Sequence, residues 1–450
     1  MVGSGGFGRS FLAQSLRVPG VSARVAVDLS AELAAQAWAS IGIAPDQVAH
    51  CATPDEAAQA WAAGKYLATG DVAHVLGLPL QVLVEATGHP EAGARHARLA
   101  VDAGWHVALA SKEVDSVVGP ELSRRARAKG RVVTPVDGDQ PSLLIGLVTW
   151  AQVLGFEVLS AGKSSEYDFV FDAASDTMHS NGVAVQVPGF APLQKLGEGA
   201  LVPQVAARSA ACAVLPQRAV PDLCELQVVA NSTGLMPDVA PLYAPIARPT
   251  EVPDLFALQS EGGLFAKKGA LDVFHCLRNA DELSFAGGVF VVIACDDAPT
   301  WELLRGKGHV MSRDGRRAMV YIPRHLLGLE AMTSVLDAAL HGVSSGAQAP
   351  QPRLDLVCRT TRAMAAGTEL VMGGHHHTID GTTAELLPAA PLAAGTPAPF
   401  YLVGNRRLVR DVAAGALICF DDVEMDPASE LFQLRQQQDA AFFHTEATGA

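Results

Sequence analysis

Over the first 140 residues, short apolar runs alternate with amphipathic stretches, the pattern of strands separated by helices in a parallel sheet. Arg24 to Asp28, Leu80 to Ala86, His106 to Ala110 and Arg131 to Val136 predict buried strands. Ala31 to Ser40, Pro54 to Ala63, Pro90 to Ala103 and Pro120 to Lys129 carry apolar residues at helical spacing. Three of these open on proline, whose missing N–H costs nothing in a first turn, and Gly64, Gly104 and Gly130 supply left-handed stops. The class that follows is α/β, with a doubly wound parallel sheet over residues 1–140.

A helix from Pro141 to Leu154 leads to a strand at Phe156 to Ala161, and there the pattern changes. Proline-rich irregular segments interrupt strand-like runs at Cys224 to Ala230, Leu271 to Leu277 and Val289 to Cys295, predicting an α+β substrate and dimerisation domain over 141–342. Leu326 to Leu340 is apolar at helical spacing, ends at Gly342 and is expected to pack back onto the sheet. Residues 343–352 (VSSGAQAPQP) read as a linker. Short strand signals at Asp355 to Arg359, Phe400 to Val403 and Ala416 to Cys419 predict a compact β domain over 353–426, and 427–450 reads as a polar tail.

Composition narrows the function. Of 450 residues 49% are hydrophobic and 18% charged, enough apolar surface to offset the ordering entropy of a folded chain. The net charge of −14, with 47 acidic against 33 basic residues, offers no footprint for nucleic acid or an anionic membrane. The longest apolar stretches fall far short of the ~20 residues of a membrane-spanning helix. Seven scattered cysteines without a CxxC pair suit a reducing compartment. The expectation is a soluble, cytoplasmic protein that acts on a small molecule and forms a homo-oligomer.

Gly3-Ser4-Gly5-Gly6-Phe7-Gly8 satisfies GxGxxG, and Asp28 follows Gly8 by 20 residues at the end of the next strand. In such a loop the first glycine turns the chain, the second lets the backbone approach a pyrophosphate and the third lets the helix pack closely. The helix, expected over Phe11 to Arg17, would point free N–H groups at the phosphates. Asp28 can accept from a ribose hydroxyl. No arginine follows it to neutralise a 2′-phosphate, so the reading leans toward NAD within an NAD(P)(H) assignment. Only Met1 and Val2 precede Gly3, whereas the strand ahead of this loop normally runs about 5–6 residues. The reading therefore expects the true start to lie upstream.

Glu85-Ala86-Thr87-Gly88, His96-Ala97 and Ala110-Ser111-Lys112-Glu113 resemble the NAD-binding Rossmann domain of homoserine dehydrogenases. The Ser-Lys-Glu step is also similar to the Asn-Lys-Glu step of deoxyxylulose-phosphate reductoisomerases, with Ser111 in place of asparagine. Further on, Val136 to Pro141, Ala161-Gly162-Lys163, Ala230 to Leu235, Lys268-Gly269 and His325 to Glu330 resemble reductoisomerase-like oxidoreductases that carry a C-terminal SAF domain. Leu402 to Val412, Gly415 and Asp421 to Val423 are similar to the end of SAF β-clip modules. The acidic glycine-tyrosine motif of homoserine dehydrogenases is absent. The resemblance implies an NAD(P)-dependent oxidoreductase with Thr87, Gly88, Ser111 and Asp137 near the cofactor, and a divalent ion if an isomerisation precedes hydride transfer.

Hydride transfer to a carbonyl leaves an alkoxide that a cation or acid must meet. Lys112 and Lys163, each just past or at the end of a strand, are candidates to polarise or protonate that oxygen. Lys268 and His325 are further candidates, although His325 equally suits the first turn of a helix. Asp139, Asn231, Glu261 and Lys267 are candidates for substrate binding. Lys267 and Lys268, beside Gly262, Gly263 and Gly269, suit either a phosphate or carboxylate site or a surface turn. The substrate class expected is small, hydroxylated and anionic. Glu166 and Asp168 can hold Mg²⁺ or Mn²⁺, or simply face water on an alternating strand. Asp137 and Asp139 can touch ribose or substrate, or cap the helix at Pro141. His375-His376-His377 reads as a turn, because adjacent side chains on an extended segment diverge. Two other readings stay open: a cofactor-binding sensor without turnover, and a SAF-domain binding or assembly protein.

Overall fold

The computed structural model describes residues 1–374 and 376–443. The chain begins with α1 (Gly6–Ser15), β1 (Val25–Val27), α2 (Ala31–Ser40), β2 (Val48–Cys51), α3 (Pro54–Ala62), β3 (Tyr66–Thr69), β4 (Val82–Glu85), α4 (Pro90–Asp102), β5 (His106–Leu109), α5 (Lys112–Ala128), β6 (Val133–Pro135) and α6 (Gln140–Val153). The strands form two parallel groups, β2-β3-β1 and β4-β5-β6. Val2 joins them by bridging Val27 on one side and Glu85 on the other. Two residues thus hold the central position: the Val2 N–H donates to Val84 and the Ala86 N–H donates back to Val2. Met1 extends the contact, its ammonium donating to the Val25 carbonyl at 3.0 Å.

The mixed sheet that follows is built on β7 (Val158–Ser164), with β8 (Phe169–Asp172), β9 (Thr177–Ser180) and β10 (Val183–Gln186) to one side. After α7 (Leu201–Ala211) and α8 (Val220–Thr233) come β11 (Ala270–Arg278), β12 (Val289–Ala294), α9 (Ala298–Gly306) and β13 (Arg317–Ile322). Its order is β10-β9-β8-β11-β7-β12-β13, with β11 parallel to β7 and β12 antiparallel to it. Residues 343–353 carry no helix or strand, and β14 (Leu354–Thr360) then pairs antiparallel with β15 (Thr382–Pro388). All seven cysteines are free. Among the described residues no helix is long and apolar enough to cross a membrane.

Several expectations are corrected. The first helix starts at Gly6, directly out of the glycine loop, rather than at Phe11. The apolar run expected as a strand over Cys224 to Ala230 is the middle of α8. Leu223, Cys224, Leu226, Val228 and Val229 are all buried, as are Asp222, Glu225, Gln227 and Asn231, so this helix is buried on every side and shows no amphipathic period. Phe400–Val403 is a buried helical turn, and Ala416 to Cys419 makes only isolated bridges. Leu326 to Leu340 is a 3₁₀ turn at Leu327–Leu329 followed by a helix over Met332–Leu336 that continues as a π-helical turn over Asp337–His341 and stops at Gly342 as expected, with Met332 and Val335 packed onto the N-terminal core. The expected polar tail holds a helix, α10 (Glu430–Phe442). Its inward face includes Arg435, wholly buried, which donates to Asp355 at 2.6 and 2.8 Å and to Asp439 at 2.7 Å.

The predicted helix start at Pro120 lies in the middle of α5. Proline there has no N–H for the carbonyl four residues back, a defect that normally breaks a helix. Two glutamines repair it. The Gln227 amide on α8 donates to the Ser116 carbonyl at 2.7 Å and to the Leu354 carbonyl at 2.7 Å. The Gln438 amide on α10 donates to Val117 at 3.0 Å and accepts from the Glu121 N–H at 3.2 Å. Gln227→Leu should therefore destabilise the fold by about 1–3 kcal/mol, the cost of stranding buried carbonyls. Pro120→Ala restores a donor to Ser116, so the double variant should lose less than the sum of the two single changes in urea unfolding. Strict additivity would contradict this account.

Candidate active site

Three elements bring charge together where the two sheets meet. Lys112 opens α5 at the C-terminal edge of the parallel sheet, Lys163 lies on β7, and Asp222 and Glu225 stand one turn apart on α8. Lys112 Nζ reaches Glu225 Oε1 at 2.5 Å and Asp139 Oδ1 at 3.8 Å. Lys163, with a side chain 2% exposed, reaches Asp222 Oδ1 at 2.7 Å and pairs with the other oxygen of Glu225. Glu225 thus bridges both lysines.

The environment sets the protonation states. Burial would raise Glu225, but the two ammonium groups outweigh it and hold the carboxyl at about 2. Burial would likewise lower the lysines. The charges of Asp139, Glu225 and Glu113 instead hold Lys112 well above its usual value, and Asp222 and Glu225 raise Lys163. Both are ammonium groups at neutral pH. Glu113 behaves in the opposite sense: burial pushes it up to about 7 against the pull of Lys112. Burial also raises Asp139, again against Lys112.

These groups line a cavity of about 290 Å³. Gln140, Glu166, Gly287, His325, Leu327 and His377 complete much of its wall. His325 Nδ1 is buried there without a hydrogen-bond partner. Two lysines face five acidic side chains (Glu113, Asp139, Glu166, Asp222 and Glu225), and Glu225 and Asp222 pair directly with them, so much of the lysines' charge is matched within the cavity.

The glycine loop adjoins this cavity. Gly3 has φ +84°, and a Cβ there would stand 2.6 Å from the Ala86 carbonyl. A Cβ on Gly8 would stand 1.9 Å from the Gly3 carbonyl, whereas Gly5 and Gly6 face open space. No side chain caps α1, so its first N–H groups around Phe7 remain available to an anion. Asp28 accepts from the Ser4 N–H at 2.8 Å, the Ser4 hydroxyl and the Leu29 N–H at 2.7 Å. Burial would raise its carboxyl, but these bonds lower it overall. The Gly88 N–H donates to the Ser111 hydroxyl at 2.9 Å, and the Thr87 hydroxyl donates to Glu85 at 2.6 Å. The segment His325 to Glu330 ties the loop to the cavity. Leu327 lines the cavity, and a Cβ on Gly328 would stand 2.4 Å from the Phe7 carbonyl.

Other candidates lie elsewhere. Asp139 takes the capping role, accepting from the Gln140 N–H at 2.9 Å, and its carboxyl also faces Lys112. Asp137 instead accepts from the Ser142 hydroxyl and from Thr333 at 2.6 Å, which ties α6 to the 330s. Asn231 accepts from the Arg353 N–H at 2.8 Å and anchors β14 to α8. Glu261, Lys267 and Lys268 line a separate cavity that shares no residue with the charged one. There Lys268 pairs with Glu157 at 2.6 Å and Glu261 with Arg317 at 2.8 Å. Asp168 is turned to Arg278 at 2.5 Å, away from Glu166's cavity. Among the described residues no three His, Cys, Asp or Glu side chains are grouped to hold a metal ion, so the Glu166–Asp168 pair does not fit one here. His375 lies outside the described residues, while His377 lines the cavity.

Asp222, Glu225, Glu113 and His377 were missed by sequence reasoning. A helical reading of α8 would have placed Asp222 and Glu225 on one face, three residues apart. Glu113 stood in the Ser111-Lys112-Glu113 step, where attention went to Lys112, and His377 stood in the histidine tract that was read as a turn.

Residues 220–331 match the family described as oxidoreductase DRL, catalytic domain, a stretch that contains Asp222, Glu225 and His325. No curated protein matches the chain. Among solved structures, an oxidoreductase from Bacillus cereus is 13% identical over 76% of this chain and 88% of its own, with a TM-score of 0.34. GenD2 from gentamicin A biosynthesis, in complex with NAD, is 13% identical over 76% of this chain and 85% of its own, with a TM-score of 0.35. A DOX-P reductoisomerase with fosmidomycin and magnesium is 16% identical over 51% of this chain, with a TM-score of 0.30. The chain spans only 56% of that reductoisomerase's length.

The Glu225 bridge predicts a pH signature. A carboxyl held at about 2 contributes stability that is complete above its unfolded value near 4.5 and is lost as pH falls toward 2. Glu225→Gln should cost about 3 kcal/mol at pH 7, because it removes the shared partner of two ammonium groups and leaves Lys163 with Asp222 alone and Lys112 with Asp139 alone. In denaturant unfolding at stepped pH, the gap from the parent should narrow between pH 4.5 and 2. A gap of constant size would contradict the bridge.

Proposed function

We propose that this protein is an NAD(P)-dependent oxidoreductase that moves a hydride between a nicotinamide and a small hydroxylated substrate held against Lys112 and Lys163. The observation that carries the proposal is the link, through Leu327 and Gly328, between the uncapped, glycine-fronted N-terminus of α1 and the cavity that holds the Lys112–Glu225–Lys163 cluster. The match of residues 220–331 to an oxidoreductase catalytic domain supports it, because that stretch supplies the carboxylates that hold both lysines.

In this reading the first N–H groups of α1 receive the pyrophosphate, and Asp28, preorganised by Ser4, accepts from a ribose hydroxyl. A carboxylate at that place disfavours a 2′-phosphate, so NADH is the preferred form. The nicotinamide supplies the hydride. The chain's own part is electrostatic: Lys112 and Lys163 stand as fixed cations where an alkoxide develops, already oriented by Glu225 and Asp222. Their raised affinity for protons makes them stabilisers of that oxygen rather than its proton source. With carboxylates in the majority, the cavity favours a neutral or amino-bearing polyol, alcohol or aldehyde over an anion. Within this proposal, residues 353–426 form a SAF-like β unit that reaches the site through His377.

Titration of NADH and NADPH against the protein, followed by tryptophan emission, tests the reading. NADH should bind more tightly, and Asp28→Ala should weaken it by about tenfold or more, the loss of a charge-assisted hydrogen bond. Gly8→Ala should abolish binding by forcing the loop from the helix. With a panel of hydroxyaldehydes and amino alcohols, Lys112→Met and Lys163→Met should each lower kcat by about 100-fold while NADH still binds. Failure of both cofactors to bind would overturn the proposal, and tight binding without turnover on any panel would favour a sensor.

A further inference from the structure

Fixed ammonium groups can stabilise an alkoxide, yet the alcohol also needs a proton delivered near neutral pH. On the cavity wall the carboxylates of Asp222 and Glu225 are bound by lysine. Glu113 is placed differently. It is the second residue of α5, with a side chain 7% exposed, and its Oε1 lies 3.9 Å from His377 Nδ1. That imidazole is 21% exposed and comes from the far end of the chain, between β14 and β15. It is held there by Tyr401, whose hydroxyl lies 2.9 Å from Nδ1 and whose ring meets the imidazole edge-on at 84°. Tyr401 is buried in the helical turn Phe400–Val403. A partly exposed imidazole is thus fixed between solvent and a buried carboxyl beside Lys112.

We propose that Glu113 is the acid–base residue of this site and that His377 passes its proton to and from solvent, so that the C-terminal β region completes the catalytic apparatus. The identity of the reaction rests on the oxidoreductase reading above; the Glu113–His377 pairing does not. In the reductive direction, the carbonyl carbon gains a hydride from the dihydronicotinamide and the π electron pair of C=O moves to oxygen. That oxygen takes the proton of the Glu113 carboxyl, leaving a carboxylate. The carboxylate is reprotonated from the His377 imidazolium, which recovers its proton from water, and oxidation runs the same steps backward. A 3.9 Å separation is closed by one bridging water or a small rotation of the ring.

The groups around Glu113 suit the role. Lys112 faces it from its own helix, Asp139 from the turn before α6, Cys224 and Glu225 from α8, and Tyr401 and His377 from the C-terminal region. Burial dominates this environment and leaves the carboxyl protonated up to about pH 7, where an acid–base group is most effective.

The test labels glutamate alone with ¹³C at the side-chain carboxyl, which keeps Asp115 and Asp139 silent, and records infrared difference spectra of the full chain from pH 4 to 9. One carboxyl should titrate near 7 in the parent, vanish in Glu113→Gln, and move by about one unit in His377→Gln and in Tyr401→Phe. A Glu113 that titrates in the ordinary range, or that ignores His377→Gln, overturns the pairing. A second arm follows NADH oxidation with glyceraldehyde and glycolaldehyde. Glu113→Gln should lower kcat by about 100-fold or more and remove its limb near pH 7. His377→Ala should lose less and be rescued by added imidazole, a response that a merely structural role would not give. An unchanged pH limb in Glu113→Gln overturns the acid–base role. No turnover of either aldehyde, with the infrared titration as described, supports the pairing and counts against the oxidoreductase reading.

Discussion

A carboxylate shared by two buried ammonium groups constrains the rest of the molecule. Removing such ions from water costs several kcal/mol each, and only close, fully partnered geometry returns it. Glu225 therefore has one productive position, between Lys112 from the parallel sheet and Lys163 from the mixed sheet. That requirement fixes where α8 runs. It passes through the interior, buried on every side, and its polar residues are spent on joints: Gln227 on the Ser116 and Leu354 carbonyls, and Asn231 on the start of β14. The proline in α5 is tolerated because α8 and α10 lie close enough to satisfy the carbonyls it strands.

The same constraint shapes the chemistry proposed. Cations locked into ion pairs do not exchange protons readily near neutrality, so in the proposed reaction Lys112 and Lys163 would act as an electrostatic seat for a developing negative charge. Proton traffic would then fall to Glu113, which burial has brought near neutrality. The segment His325 to Glu330 sits across the junction. It packs Gly328 onto α1 while Leu327 borders the cavity, so one short segment touches both the glycine loop's helix and the charged site. From the opposite side, the C-terminal region is pinned to α5 through α10 and reaches the cavity with His377.

The legible parts of the sequence were those with a strong local period or a local steric demand. The strands at Val25, Val82, His106 and Val133 and the helices at Ala31, Pro54 and Pro90 follow from apolar runs and first-turn prolines, whereas β2 (Val48–Cys51) and β3 (Tyr66–Thr69) were not predicted. The loop Gly3 to Gly8 was legible because its glycine spacing is a sequence signature in itself, and the structure shows the steric reason at Gly8, whose Cβ would meet the Gly3 carbonyl, and at Gly3, whose Cβ would meet Ala86. Lys112 and Lys163 stood out at strand ends. What failed was set by tertiary context. The α8 run looked like a strand because burial on all sides erases the helical period. The α10 helix looked like a tail because its inward face holds Arg435, Gln438 and Asp439, polar residues satisfied only by partners far away in sequence. Pro120 suggested a helix start because its repair by Gln227 and Gln438 is invisible locally. Lys267 and Lys268 drew attention through their glycine neighbours, yet chain topology sends them to another cavity.

The central claim is that the hydride carrier ends over the Lys112–Glu225–Lys163 cluster. A crystal structure of the protein with NADH tests it most directly. The account predicts the pyrophosphate at the N-terminus of α1, the ribose on Asp28, and the nicotinamide C4 facing the cavity between Leu327 and Lys112. A cofactor seated on the glycine loop with its nicotinamide turned away from that cavity, or one bound elsewhere on the chain, would contradict it.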